Sequence, residues 1–285
     1  MTNPVEKNAP ARRGLSSLPL GVRLIVALVV VAFGLFQVRN GLLEFFPSFG
    51  ADADVTAAAQ KATSAAKNFI ALGKDAYQTG NAPRQTDAAV APLLDAIFDV
   101  GILQKKPTLA KGDLQGLSEW ATAAGGAAGV YILAGTGKTD FSQVKNDPKL
   151  LQLIDRNTAT YAPEIGRYAD AQLVISGAIA DVITADFGSA GADSKPNLTD
   201  GQQKVREGIA KTINGVLQTF VVDGISDDWR RARLTALDSV APKAAKLFAA
   251  EQCSAVRDTS RAVSAAMGNA EVKGGLATFA AALKC

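Results

Sequence analysis

The sequence has no histidine among its 285 residues. That absence removes the commonest metal ligand and the commonest general base near neutral pH, and many hydrolase mechanisms go with them. No segment after Asp54 alternates apolar and polar residues as a half-buried strand does, so sheet-based classes are excluded in favour of an all-α chain. Uncompensated charge is also missing from most of the length. The net charge is +3, but Lys7, Arg12, Arg13 and Arg23 against the single acid Glu6 account for it, leaving 26 bases and 26 acids in the remainder. A chain balanced in this way lacks the clustered positive charge that phosphate backbones demand, so no nucleic-acid partner is expected.

What the sequence does have is one thirteen-residue apolar run, Leu24 to Phe36 (LIVALVVVAFGLF). Alone it falls short of the ~20 residues that cross a hydrocarbon core. Leu18, Leu20 and Val22 extend it on one side and Val38 on the other, and Arg23 is near enough to the edge to reach the headgroups. Leu18 to Val38 is therefore read as a transmembrane anchor. The positive cluster before it predicts a cytoplasmic N-terminus, and Phe45, Phe46 and Phe49 follow where aromatic rings favour the interface. A cleaved signal peptide would need small residues soon after the apolar core, whereas Ala51-Asp52-Ala53 lies about 15 residues downstream of it. Arg12-Arg13 also resembles a twin-arginine export signal, although paired basic residues before an anchor satisfy the positive-inside rule without it. The expected organisation is a cytoplasmic tail over 1–17, the anchor over 18–38, an interfacial linker over 39–53 and an all-helical extracytoplasmic domain over 54–285. The expected localisation is the inner (cytoplasmic) membrane, single-pass, with the N-terminus cytoplasmic and the bulk periplasmic or extracytoplasmic.

Helical periodicity dominates from residue 54 onward. Val55, Ala58, Ala59, Ala62, Ala65, Ala66, Phe69 and Ile70 form one stripe, ending near Gly80-Asn81-Ala82-Pro83. Thr86 or Asp87 is expected to cap a second helix carrying Val90 to Ile102, with Pro92 in its first turn. Leu114 to Tyr131 marks a third, closed by Gly135-Thr136-Gly137. Asp147-Pro148 is a cap followed by a favourable first helical residue, and a fifth helix runs from near Pro163 towards Gly188. The segment 188–197 (GSAGADSKPN) is the best linker candidate and a candidate sub-boundary. Thr199 with Gln202 reads as a capping box, and Ser226 caps a helix that Pro242 should bend or divide. Last comes a helical hairpin about Met267-Gly268-Asn269-Ala270. Cys253 and Cys285 each lie 16 residues from Asn269, so an antiparallel hairpin brings them level and predicts a disulfide in an oxidising compartment.

Three motifs suggest chemistry and do not sustain it. VYILAGTGKTD (130–140) resembles a strand entering a phosphate-binding loop, but the glycine required five positions before Gly137 is Ile132; no nucleotide is expected. Ser64-Ala65-Ala66-Lys67 matches the Ser-x-x-Lys acylation pattern without its companion motifs or the sheet it needs. Trp120 to Gly137 is uncharged and contains Gly125-x-x-x-Gly129, which opens the alternative of a second membrane span. Two features remain as candidate sites. Trp229, Arg230 and Arg233 could anchor an acidic protein partner in the periplasm or envelope, Trp and Arg being enriched at interface centres; the alternative is a helix face neutralised by Asp227 and Asp228. For a histidine-independent enzyme, Asp181 and Asp186 or the Asp227-Asp228 pair would be the carboxylates to use. No catalytic, cofactor-binding or metal residue is assigned. The expected function is an anchored helical interaction or scaffold module, with a carboxylate enzyme or an apolar-ligand-binding domain as alternatives.

Overall fold

A computed structural model describes residues 50–106, 108–144, 147–185 and 198–284. The expected anchor over 18–38, residues 39–49 of the linker, the 188–197 loop, Asp186 and Cys285 lie outside them. The described residues contain helices and no strand. In chain order the α-helices are α1 (Ala53–Leu72), α2 (Ala76–Thr79), α3 (Ala91–Phe98), α4 (Gly101–Lys105), α5 (Asp113–Ile132), α6 (Pro148–Thr160), α7 (Ala162–Thr184), α8 (Asp200–Thr219), α9 (Asp227–Leu247), α10 (Ala250–Ala266) and α11 (Ala270–Ala282), with a single 3₁₀ turn at Phe141–Gln143.

Helix α7 is the axle of the arrangement. Sixteen of its 23 residues are buried, which is the signature of a helix enclosed on all sides rather than of a surface helix with one apolar stripe. It packs against α3, α4, α5 and α6 from the first half of the chain and α8 and α9 from the second. Buried side chains from Val55 to Leu283 consequently form one continuous cluster.

Small residues set how closely these helices approach, and the contacts reveal their direction. A Cβ on Gly116 would meet Ala59, one on Gly126 would meet Ile70, and one on Gly73 would lie 2.6 Å from Val130 Cγ1. Each pair is 56 or 57 positions apart, so α1 and α5 run parallel. Helices α7 and α9 are parallel as well. Gly166 abuts Trp229, Asp170 binds Arg233, Gly177 abuts Val240 and Asp181 binds Lys243, all at offsets of 62 or 63. The same logic makes α9 and α11 parallel, through Asp227 with Asn269 and Arg231 with Glu271. A parallel pair needs a returning element, and α3, α8 and α10 supply it.

Most caps sit where local chemistry places them. Asp147 accepts from Lys149 and Leu150 N with Pro148 opening α6, Thr199 and Gln202 close a capping box, and Ser226 accepts from Trp229 N. The C-terminal hairpin forms about Gly268-Asn269. Ser260 Oγ donates to Leu276 O at 2.9 Å and Ser264 Oγ to Lys273 O at 3.2 Å, pairs that share one midpoint as an antiparallel hairpin requires.

Four expectations are corrected. Helix α1 stops at Leu72 with Gly73 as its cap, and only the four-residue α2 precedes Gly80. The second helix starts at Ala91 rather than beside Asp87, because the Asp87 carboxylate accepts from Arg84 N and holds a turn instead. Ile102 belongs to a separate α4, since Asp99 accepts from Gly101 N and breaks the run. Pro242 does not divide α9, which is continuous from Asp227 to Leu247. The carbonyl that Pro242 deprives of its helical donor is that of Asp238, an exposed residue, where water can serve. As for a second span, no helix among the described residues is long and apolar enough to cross a membrane.

Candidate functional site

The segment Trp229 to Arg233 offers two readings in sequence, an anchor for an acidic partner or a helix face neutralised by Asp227 and Asp228, and the structure shows both of those acids paired with arginines of the segment. Trp229 is only 7% exposed. Its Nε1 donates to Ala162 O at 2.7 Å, and its ring meets Phe220 edge-on at 6.0 Å between centroids. Arg233 stacks over that ring, with its guanidinium carbon 4.9 Å from the centroid, and forks onto both carboxylate oxygens of Asp170. Arg230 donates Nε to Phe220 O at 2.7 Å and Nη1 to Asp227 at 2.6 Å, which holds the Asp227 carboxyl below its usual range. Arg231 pairs outward with Asp228 and Glu271. The cluster therefore joins α7, α8 and α9, and its charges are neutralised within the fold.

The glycine-rich break after α5 is equally committed. Gly135 and Gly137 adopt φ of +71° and +66°, which favours glycine, and their N–H groups donate to Ala76 O and Tyr77 O at 2.8 and 2.7 Å. Amides that would have to face a phosphate are already spent on α2. Asn157 completes the junction by donating to Ile132 O and Ala134 O at the end of α5. Ser64 and Lys67 are exposed on α1. Asp181 is paired with Lys243 at 2.6 Å, and Asp227 and Asp228 are first-turn acids paired with arginines.

A cleft of about 550 Å³ lies between the segment following α4, the C-terminal half of α7 and α9. Its floor is apolar, from Leu103, Leu109, Leu173, Ala178 and Val240, and the Asp181–Lys243 pair crosses one wall. Lys106 lines its rim and donates to Asp52 at 2.7 Å and Asp54 at 3.1 Å. Asp113, itself buried, accepts from Asp52 N and Ala110 N. The first turn of α1 is thus bound to the same rim, so the chain enters the domain beside the cleft. The volume lies within the range of small-molecule sites, and Ser239 on its wall donates its hydroxyl to Ala236 O at 2.8 Å. No group of three or more metal-ligating side chains occurs among the described residues.

Two polar groupings in the fold had no visible signal in the sequence. At the junction of α6 and α7, Tyr161 Oη donates to Gly80 O and accepts from Ala82 N, while the buried Glu164 accepts from Gln85 N at 3.1 Å. Arg84 lies 4.4 Å above the Tyr161 ring and 3.7 Å from Glu164, so the loop over 80–87 is clamped onto both helices. Burial, then the Glu164 charge, raises the Tyr131 hydroxyl, whose oxygen has no hydrogen-bond partner among the described residues. The second grouping is Asp155 with Asp223: burial, then the Asp223 charge, pushes the Asp155 carboxyl up to about 6. No family model matches the chain, and no curated protein or solved structure is significantly similar to it.

Proposed function

We propose that the chain is a single-pass, membrane-anchored helical module whose N-terminus is cytoplasmic and whose folded body faces the periplasm or an equivalent oxidising space, where it serves as an interaction or scaffold domain. The observation that carries this reading is the segregation of charge. All of the excess positive charge precedes Leu24 to Phe36, while the helical body beyond it is balanced, with its suspected catalytic carboxylates that lie in the described residues used in caps and ion pairs. A Cys253–Cys285 disulfide fits the same compartment. Cys253 is fully buried, and its Sγ lies 3.5 Å from Leu283 O, two residues before Cys285 in the sequence.

Single cysteines introduced at Asn3 and at Asp200, probed in intact spheroplasts with a membrane-impermeant maleimide, test the topology. Asp200 is exposed in the first turn of α8. Labelling at 200 and none at 3 is expected. Equal labelling at both, or release of the protein by alkaline carbonate, would remove the anchor.

The cleft favours a second reading, a site for a small apolar ligand within the bundle. Protein extracted from membranes and examined by native mass spectrometry should then carry a small-molecule adduct that Ala178→Trp removes. An adduct unaffected by that substitution would place the ligand elsewhere.

A further inference from the structure

The cleft beside α7 and α9 is amphipathic in its lining. Leu103, Leu173, Ala178 and Val240 in its floor are all buried. The charged side chains that line it are Lys106, Lys243 and Asp181, two bases against one acid, although bases and acids balance over the chain beyond the apolar run. Lys243 reaches its place because α7 carries no side chain at Gly177. A Cβ there would lie 3.1 Å from Lys243 Cδ, so the lysine stem passes close over α7 and its ammonium meets Asp181, one turn further on, at 2.6 Å. Lys106 comes from the C-cap of α4 and donates to Asp52 and Asp54 at 2.7 and 3.1 Å. Those two acids belong to α1 as well: Asp52 caps it by accepting from Asp54 N and Val55 N, and Asp54 stands in its first turn, where the helix dipole favours negative charge. An ammonium carries three donors, of which Lys106 spends two and Lys243 one in these contacts. Both lysines of the lining therefore keep donors in hand.

We propose that the cleft binds a single-chain anionic amphiphile of the fatty-acid class, its hydrocarbon chain on the apolar floor and its carboxylate held by the lysines of the lining. This rests on the reading of the cleft as a site for an apolar ligand and gives that ligand its head group. A ligand without a head group leaves both ammoniums to water. A carboxylate instead accepts from the donors that Asp52, Asp54 and Asp181 leave free, in charge-assisted bonds roughly twice as strong as neutral ones. It binds as the ion that a carboxylic acid already is at neutral pH, so no proton moves. A cationic amphiphile meets two like charges and finds one acid in the lining, Asp181, which Lys243 already holds. The stems of the same lysines add apolar surface beside the floor, as long basic side chains do when their heads stay in water.

Isothermal titration of the full chain in lipid nanodiscs, with empty nanodiscs subtracted, tests this with three probes of one chain length and different head groups: octanoate, octan-1-ol and octylammonium. Octanoate is expected to bind about tenfold more tightly than octan-1-ol, and octylammonium more weakly than either. Lys106→Gln combined with Lys243→Gln should bring octanoate to the affinity of octan-1-ol, whereas Lys106→Arg combined with Lys243→Arg should keep the preference. Ala178→Trp, and Val174→Trp at a half-buried lining position of the same helix, should remove all three probes by filling the floor. Octanoate bound no more tightly than octan-1-ol, or a preference that survives the glutamine pair, would overturn the anionic head group; if Ala178→Trp still removed binding, the apolar site would stand without it. No binding of any probe, or binding indifferent to both tryptophan substitutions, would overturn the two readings together.

Discussion

Trp229→Ala is expected to lower the stability of the domain by about 3–5 kcal/mol, the range for truncating a large buried aromatic side chain. Three losses combine in it. The ring leaves a cavity against Phe220, the Nε1 donor to Ala162 O disappears, and the Arg233 guanidinium loses the surface on which it stacks while remaining forked on Asp170. Trp229→Phe keeps most of the volume and loses the hydrogen bond, so a smaller loss of about 1–2 kcal/mol is expected. Gly166 constrains the same spot from the opposite helix. A Cβ there would fall 2.7 Å from Trp229 Nε1 and 2.8 Å from Arg233 Nη1, so neither partner can be enlarged without moving the other. Urea denaturation followed by far-ultraviolet circular dichroism measures the loss. A midpoint unchanged in Trp229→Ala, together with loss of a bound protein from pull-downs, would instead return Trp229 to the surface as an interface anchor.

The fate of Trp229 also shows where sequence reading stops. Caps were legible because they are settled within four residues: Thr199 with Gln202, Asp147 with Pro148, Ser226 with Trp229 N and Asn269 with Val272 N need nothing from elsewhere. The helical class was legible for the same reason, since a 3.6-residue period is a local property. Partners are not local. Periodicity gave α7 and α9 their apolar faces, but the offset of 63 that sets Gly166 against Trp229 follows from the return path of α8 and from small residues scattered along α7. In sequence, Trp229 with three arginines close behind it has the composition of an exposed patch; the fold turns the tryptophan inward and spends Asp170 and Phe220 O on its neighbours. Asp155 shows the same limit, because the burial that raises its carboxyl is set by packing, and the acid that adds to it, Asp223, lies 68 residues further on. The cleft joins the entry to α1 with α7 and α9, and no window of the sequence contains all three.

The proposed Cys253–Cys285 bridge carries the other large expected effect. Reduction, or Cys285→Ser, should destabilise the domain by about 3–4 kcal/mol, the chain-entropy contribution of a crosslink that closes a loop of roughly 30 residues. The register of the hairpin favours a bridge without distortion. Ser260 with Leu276 and Ser264 with Lys273 fix an antiparallel pairing whose extension sets Cys253 beside Leu283 at 3.5 Å, within two residues of Cys285. Val256, Leu276 and Phe279 are fully buried, and α10 packs on α8 while α11 packs on α9, so the hairpin retains apolar contacts without the crosslink, and loosening rather than complete unfolding is expected. Urea midpoints with and without reductant should separate in the unmodified protein and coincide in Cys285→Ser, with a steeper denaturant dependence once the unfolded chain is freed from the loop. Two titratable thiols in protein purified without reductant, with identical midpoints, would remove the bridge. They would also weaken the exported topology, because an accessible oxidising compartment should close cysteines that the hairpin brings level. A bridge found intact would in turn argue that residues 253–285 have left the reducing cytoplasm, independently of the charge asymmetry at the N-terminus.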